Sequence, residues 1–241
     1  MLAVLDQDKQ PLAGEYQFAQ VVRDGLVLDY LGAIDLLTAM KKRVERRLGR
    51  QLTHAASGYP PGVHRVEVRA TANVVEAAGL RCTNMIDEPS AANAVLNMQN
   101  GAIVDVGGGT TGIAILKDGV VVYTADEATG GTHFSLVIAG AQDISFEEAE
   151  AMKIDPAQQE RLFIAVRPVM EKVANIVARH IAQSQVAVDN LTFVGGTSAF
   201  PGMAGVIEDY TGLPTFIPQR PLFVTPLGIA MNDAPPEVEN A

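Results

Sequence analysis

The chain has 241 residues, 48% hydrophobic and 19% charged, enough for the core of one large domain or two ordinary lobes and too apolar for a disordered chain. Its net charge of −10 repels nucleic-acid phosphates and anionic lipid, so neither is an expected partner and any phosphate site has to be local. The single Cys82 excludes an internal disulfide, the four scattered histidines make no zinc pattern, no apolar run approaches the ~20 residues of a membrane span, and the start lacks a basic segment; together these predict a cytoplasmic protein.

In chain order, 2–5 reads as a strand, 6–9 as a turn and 23–27 as a loop and strand end. From 32 to 48, Ile34, Leu37, Met40, Val44 and Leu48 recur at helical spacing, and Gly49 stops the helix. The opposite face holds Lys41, Lys42, Arg43, Glu45, Arg46 and Arg47, which reads as a solvated surface rather than a docking site. Residues 53–57 read as a buried strand ended by Gly58-Tyr59-Pro60-Pro61-Gly62, 63–78 as a helix closed by Gly79, and 81–86 as the next strand. Pro89 then opens a helix that runs to Met98. Strand, helix, strand, helix predicts an α/β layer.

An apolar strand over 102–106 runs into Gly107-Gly108-Gly109-Thr110-Thr111-Gly112. A second strand, 113–116, turns at Lys117-Asp118-Gly119 into a third, 120–124, since Asp-Gly between apolar runs signals a hairpin. Helices are predicted near 132–140 and 146–153, then a long one over 157–184 that Pro168 kinks or splits. A strand at 191–194 ends on Gly195-Gly196-Thr197, followed by a helix over 201–210, a short strand at 214–217 and a last helix over 225–232. The tail, 233–241, reads as loose.

The second half thus reads strand, glycine loop, strand, tight turn, strand, helix; the first reads strand, turn, strand, loop, helix. The two match if 2–5 corresponds to 113–116. The first half then lacks its opening strand and glycine loop, and the expectation is a chain truncated at its N-terminus. The alternative is that the halves merely look alike.

Asp105-Val-Gly-Gly-Gly-Thr-Thr, set between two strands, is the strongest chemical feature. Gly107, Gly108 and Gly109 let the backbone pass close to a ligand and turn N–H groups toward one point, a nest for phosphate oxygens. Thr110 and Thr111 add hydroxyls, and Asp105 suits water around a magnesium ion. The competing reading is a glycine hairpin chosen only for tight turning. Glu88 opens a helix, where a carboxylate either caps the helix or orients an attacking water. Gly195-Gly196-Thr197 is either a platform for adenine or a plain strand-to-helix turn. Glu150 and Lys153, three apart on one helix, form an ion pair or hold a ligand between them. No Ser/His/Asp triad suggests itself, and Gly-x-x-x-x-Gly-Lys is absent, which excludes a P-loop protein.

The order Glu88-Pro-Ser-Ala-Ala, Asp105-Val-Gly-Gly-Gly-Thr-Thr, Gly130-Gly131, Glu150-Ala-Met-Lys153 and Val194-Gly-Gly-Thr-Ser-Ala-Phe-Pro201 resembles the nucleotide-binding domain of DnaK-type heat-shock chaperones. Arg23-Asp-Gly-Leu and Asp29-Tyr-Leu are similar to actin-like MreB. Ala125-Asp-Glu-Ala-Thr-Gly-Gly-Thr-His-Phe134 and Asp143-Ile-Ser-Phe-Glu-Glu-Ala-Glu150 look like the chaperone-like proteins of ethanolamine utilisation. The resemblance covers nearly the whole chain. It implies a two-lobed actin-like α/β ATPase fold of duplicated ribonuclease-H-like units: lobe I over 1–100 without its first strand and phosphate loop, lobe II over 101–224, and a helix and tail over 225–241 returning to lobe I.

It further implies ATP or ADP with magnesium in the cleft. Asp105 would organise the magnesium waters, Gly107, Gly108, Gly109 and Thr110 hold the phosphates, and Glu88 position the hydrolytic water. Gly130 and Gly131 would line the phosphate side, Glu150 and Lys153 clasp ribose and adenine edges, and Gly195, Gly196 and Thr197 support the adenosine. The chain departs from the pattern in lacking the opening Asp-x-Gly-Thr loop and a following peptide-binding domain. It also has Ala199 where the chaperones stack an arginine on adenine, a contact worth ~1 kcal/mol. The function so implied is a nucleotide-binding, slowly ATP-hydrolysing assembly factor acting on ethanolamine-pathway enzymes or on shell proteins of a bacterial microcompartment. A non-enzymatic actin-like scaffold is the alternative, with a small-metabolite kinase behind it.

Overall fold

The computed structural model describes residues 1–17, 19, 21–23 and 26–234. Asp24 and Gly25 of the expected loop, and 235–241 of the expected loose tail, lie outside the described residues. The chain divides into two compact units, one of Met1–Leu96 with Thr225–Ala241 and the other of Asn97–Val224.

In the first unit β1 (Leu2–Leu5) pairs antiparallel with β2 (Pro11–Glu15), and β3 (Val22–Arg23) with β4 (Leu26–Val27). Helix α1 (Tyr30–Leu48) starts where Asp29 Oδ1 accepts the Gly32 amide at 2.9 Å, and stops at the left-handed Gly49. Its apolar stripe buries Ala33, Met40 and Val44. The basic face is only partly solvated. Arg43 Nε and Arg47 Nη2 both reach the Glu15 carboxylate at 2.6 Å, fastening α1 to β2. The Leu52 amide, with Lys41 beside it, holds the Glu45 carboxyl below its usual range.

β5 (His54–Tyr59), α2 (Arg65–Ala77), β6 (Arg81–Asp87) and α3 (Glu88–Leu96) follow, with β5 and β6 parallel. β5 runs two residues beyond the expected strand, through Gly58 and Tyr59, because the ladder to β6 pairs them with Ile86 and Asp87. Among the described residues β1–β2 and β5–β6 are separate two-stranded sheets.

The second unit is built on one five-stranded sheet. β7 (Gly101–Val106), β8 (Thr111–Lys117) and β9 (Val120–Glu127) form an antiparallel meander, and β10 (Leu191–Val194) and β11 (Thr215–Phe216) add in parallel beside β7, giving the order β11-β10-β7-β8-β9. Every residue of β7 and all but the last of β8 are buried, as continuous apolar runs predict for central strands. Helices α4 (Gly131–Gln142), α5 (Phe146–Ile154) and α6 (Pro156–Ser184) follow β9. α6 is a single helix of 29 residues running through Pro168 without a break. Its apolar stripe is buried on both sides of the proline, at Leu162 and Val166 before it and at Val169, Met170, Val173 and Val177 after it. Tertiary packing thus offsets the hydrogen bond that the ring removes. His180, near the end of α6, is a satisfied core histidine: Tyr123 Oη lies 2.7 Å from Nδ1 and Glu127 Oε1 3.1 Å from Nε2.

Helix α7 (Met203–Thr211) precedes β11, and α8 (Pro221–Met231) closes the described chain. α8 starts four residues before the expected 225, with Pro221 in its first turn, where a missing N–H costs nothing. Within the first unit Gly228 of α8 lies against α3, where any Cβ would fall on the Ala91 carbonyl. Just beyond α8, Asp233 is held by His54 Nδ1 at 2.5 Å and by the Thr83 hydroxyl.

Candidate functional site

The β7–β8 ladder ends at the Val106–Thr111 pair, leaving residues 107–110 as a hairpin loop closed by the Gly107 N–H donating to the Thr110 carbonyl at 3.0 Å. Two other segments of the second unit close on this loop. From the start of α4, the amides of Gly131 and Thr132 donate to the carbonyls of Gly107 and Gly108 at 2.9 and 2.7 Å. From the short 3-10 turn Gly196–Ala199 after β10, the Thr197 hydroxyl donates to the Gly107 carbonyl at 2.8 Å.

Such contact requires glycines. A Cβ on Gly130 would stand 2.7 Å from the Gly107 carbonyl oxygen and 2.9 Å from that of Gly108. One on Gly131 would stand 2.5 Å from the Thr197 hydroxyl. Gly195 holds φ at 86°, and its missing Cβ leaves room for Asp105 Oδ1.

The carbonyls of Gly107 and Gly108 are thus taken by α4 and Thr197. Among the described residues no acceptor meets the amides of Gly108 and Gly109, and a Cβ on Gly108 would enter open space. The positive end of α4 points at the same loop, which favours negative charge there. Asp105 is nearly buried and pairs in register with Gly112 on one side and Val194 on the other, and its Oδ1 lies against Gly195.

α5 supplies a second polar group. It opens with a capping box in which Ser145 Oγ accepts the Glu148 amide at 3.2 Å while Glu148 Oε2 accepts the Ser145 amide at 2.9 Å. The Ser145 amide, with the Ser145 hydroxyl donating to the same oxygen at 2.8 Å, holds the Glu148 carboxyl below its usual range. One turn on, Lys153 Nζ donates to Glu150 Oε2 at 2.6 Å and to the Gly131 carbonyl at 3.0 Å. The side chains of Lys153 and Glu150 are only 13% and 19% exposed, so this is not the surface ion pair that spacing alone suggests. The Ser135 hydroxyl of α4, fully buried, meets the same Glu150 oxygen at 2.6 Å.

Of the residues singled out in the sequence, the second unit therefore brings together Asp105, Gly107, Gly108, Gly109, Thr110, Gly130, Gly131, Glu150, Lys153, Gly195, Gly196 and Thr197. Gly130 and Gly131 brace the loop, since the Gly131 amide is bonded to the Gly107 carbonyl. Thr111 is fully buried with its hydroxyl donating to the Thr129 carbonyl at 2.6 Å, so that hydroxyl anchors β8. Glu88 belongs to the first unit. The Ser90 amide is met by Asp87 Oδ1 at 3.0 Å, so Asp87 caps α3. Ser135 went unmarked in the sequence; the available signal is a small hydroxyl within the apolar run Phe134–Ile138, four residues after Gly131. No group of three or more His, Cys, Asp or Glu side chains suited to a metal ion occurs among the described residues, and no helix among them is long and apolar enough to cross a membrane.

Several known proteins are similar to the chain over most of its length. The chain is 45% identical over 228 residues to ethanolamine utilization protein EutJ of Escherichia coli K12, covering 94% of this chain and 80% of that one. The match to EutJ of Salmonella typhimurium LT2 is also 45%, over 94% and 79%. A chaperone protein HscA homolog of Chromobacterium violaceum is 24% identical over 259 residues, covering 88% of this chain and 42% of that protein. Among solved structures, EutJ of Carboxydothermus hydrogenoformans superposes with a TM-score of 0.90 at 44% identity, over 95% of this chain and 84% of that one. A type IV pilus biogenesis complex of PilM and PilN matches with a TM-score of 0.77 at 13% identity, over 95% and 94%, and shows a shared fold. A sequence model of the family described as type IV pilus assembly protein PilM matches residues 35–224. The chain is a chaperone-like member of the EutJ family of ethanolamine utilisation proteins, within the HscA/DnaK and actin superfamily, and it carries the PilM family's domain over residues 35–224.

Proposed function

We propose that the second unit binds ATP or ADP, with the phosphates over residues 107–110, and that the protein acts as a cytoplasmic nucleotide-dependent assembly factor on ethanolamine-pathway enzymes or microcompartment shell proteins. The observation that carries this reading is the pair of amides at Gly108 and Gly109, met by no acceptor among the described residues, in a loop whose Gly107 and Gly108 carbonyls are bonded to α4 and Thr197. Such a nest recognises anionic oxygens without a lysine of its own. The acceptor-rich Glu150 beside it suits the hydroxyls of a nucleoside rather than a second phosphate.

Magnesium fits as an ion carried in by the phosphates. Asp105 is a single nearly buried carboxylate, which suits hydrogen bonds to the ion's waters rather than an all-protein cage. When bound, the ion supplies charge neutralisation to the phosphates. The protein's own contribution is to hold the phosphate oxygens on backbone N–H groups and to exclude water from the floor of the loop. Slow hydrolysis, with Glu88 directing water, belongs to the same proposal. So does the descent of both units from one duplicated pattern, which the shared order of strand pair, helix, strand, helix, strand supports.

Thermal unfolding with Mg-ADP tests the binding step. Nucleotide at 100 times its dissociation constant adds about 2.7 kcal/mol to stability. An unchanged transition at millimolar Mg-ADP contradicts it. The match to PilM favours a second reading, an interaction scaffold without turnover. Phosphate release from ATP that is lost in both Glu88→Ala and Asp105→Ala removes the scaffold reading.

A further inference from the structure

Ser135 sits on the inner face of α4 with no exposed surface, in a helix otherwise packed with apolar side chains. Its single proton has two acceptors in reach. The Gly131 carbonyl, one turn back at 3.2 Å, is the usual partner of a mid-helix serine. The Glu150 carboxylate at 2.6 Å is closer and charged, and a charge-assisted bond is about twice as strong as a neutral one, so the proton lies toward Glu150. The Gly131 carbonyl keeps a donor in Lys153 Nζ at 3.0 Å.

Glu150 is therefore held at one oxygen by two donors, Ser135 and Lys153, while among the described residues no donor meets its other oxygen, Oε1. An ionised carboxylate only accepts hydrogen bonds, so Oε1 selects a hydroxyl or an N–H and rejects phosphate. With Lys153 alone, the Glu150 side chain would keep its charge partner but could swing about it, since an ammonium is a point charge without fixed direction. The second anchor removes that freedom.

We infer that Ser135 is a positioning residue that aims Glu150 Oε1 at a sugar hydroxyl, making the site selective for ribonucleotides over their deoxy forms. This rests on the nucleotide reading above and adds to it the residue that sets sugar selectivity. Losing a well-aimed hydrogen bond to a charged group lowers affinity by roughly tenfold or more, whereas phosphate contacts at 107–110 do not depend on Glu150.

Calorimetric titration separates the possibilities, with ADP, 2′-deoxy-ADP, 3′-deoxy-ADP and pyrophosphate as probes on the unsubstituted chain and on Ser135→Ala, Ser135→Cys and Ser135→Thr. Cysteine keeps the volume with a poor donor, and threonine keeps the hydroxyl. The expected result is a preference of about tenfold for ADP over at least one deoxy form. It falls toward parity in the alanine and cysteine variants, returns in threonine, and leaves pyrophosphate affinity unchanged throughout. A preference unchanged in the alanine and cysteine variants, or ADP and pyrophosphate weakened equally, overturns the assignment. An unsubstituted chain that binds pyrophosphate and all three nucleotides alike overturns it while sparing the nucleotide reading. One that binds none of the probes removes both.

Discussion

The Thr197 hydroxyl donates to the Gly107 carbonyl at 2.8 Å, joining two glycine loops 90 positions apart in the chain. The bond fixes the floor of the proposed phosphate site, because the same carbonyl receives the Gly131 amide at the opening of α4. Thr197→Val keeps the side-chain shape and removes the donor. The Gly107 carbonyl retains one partner, so the expected loss is about 1 kcal/mol in chemical denaturation, near the mean for one neutral hydrogen bond. Affinity for Mg-ADP falls with it. A variant as stable as the parent, with unchanged affinity, would show that the bond has no part in shaping the loop.

Two glycines in the same place are expected to respond in opposite ways. Gly130→Ala sets a methyl group against the backbone oxygens of Gly107 and Gly108, so a cost of roughly 1–3 kcal/mol is expected. Gly108→Ala meets nothing, and its stability stays within about 0.5 kcal/mol of the parent. Its methyl group enters the space assigned to phosphate, so Mg-ADP binding is lost. Paired thermal melts and titrations read both; a Gly108→Ala protein that binds nucleotide normally places the phosphates elsewhere.

Glu150 and Lys153 are mostly buried and bonded at 2.6 Å, so removing one leaves the other poorly paired. A double-mutant cycle of Glu150→Gln and Lys153→Met is expected to give a coupling of about 1–3 kcal/mol in unfolding free energy. A value within error of zero would return the pair to the class of surface ion pairs.

The capping box of α5 sets a pH dependence. The Glu148 carboxyl lies below its usual range through the Ser145 amide and hydroxyl. A depressed carboxylate pKa means a contribution fully present above the unfolded value and lost as pH falls through the folded one. Ser145→Ala removes the N-cap oxygen, for which about 1 kcal/mol is typical at neutral pH. The difference from the parent protein should shrink on acidification below the ordinary carboxylate range. A gap that stays constant through that range and below it would show that Glu148 contributes nothing to the pH dependence.

The second unit was largely legible because its signals are local and strong. Asp118-Gly119 between apolar runs marks the β8–β9 turn, and the all-apolar stretch 102–106 marks a central strand. Boundaries were less so: β5 continues through Gly58 and Tyr59 because β6 pairs with them, which no pattern in 53–62 reveals. Pro168 by itself predicts a kink or split, since composition cannot show the packing that carries α6 past it. The glycines of the site were visible as glycines, yet what they permit, the stacking of 107–108, 130–132 and 195–197, is tertiary. Ser135 was hidden for the same reason, since a serine within Phe134–Ile138 acquires meaning only when α5 delivers Glu150 beside it.

A crystal structure grown with Mg-ADP bears most directly on the central claim. Diphosphate oxygens are expected within hydrogen-bonding distance of the Gly108 and Gly109 amides, with a sugar hydroxyl on Glu150 Oε1. Nucleotide seated away from residues 107–110, or no nucleotide at saturating concentration, would contradict it.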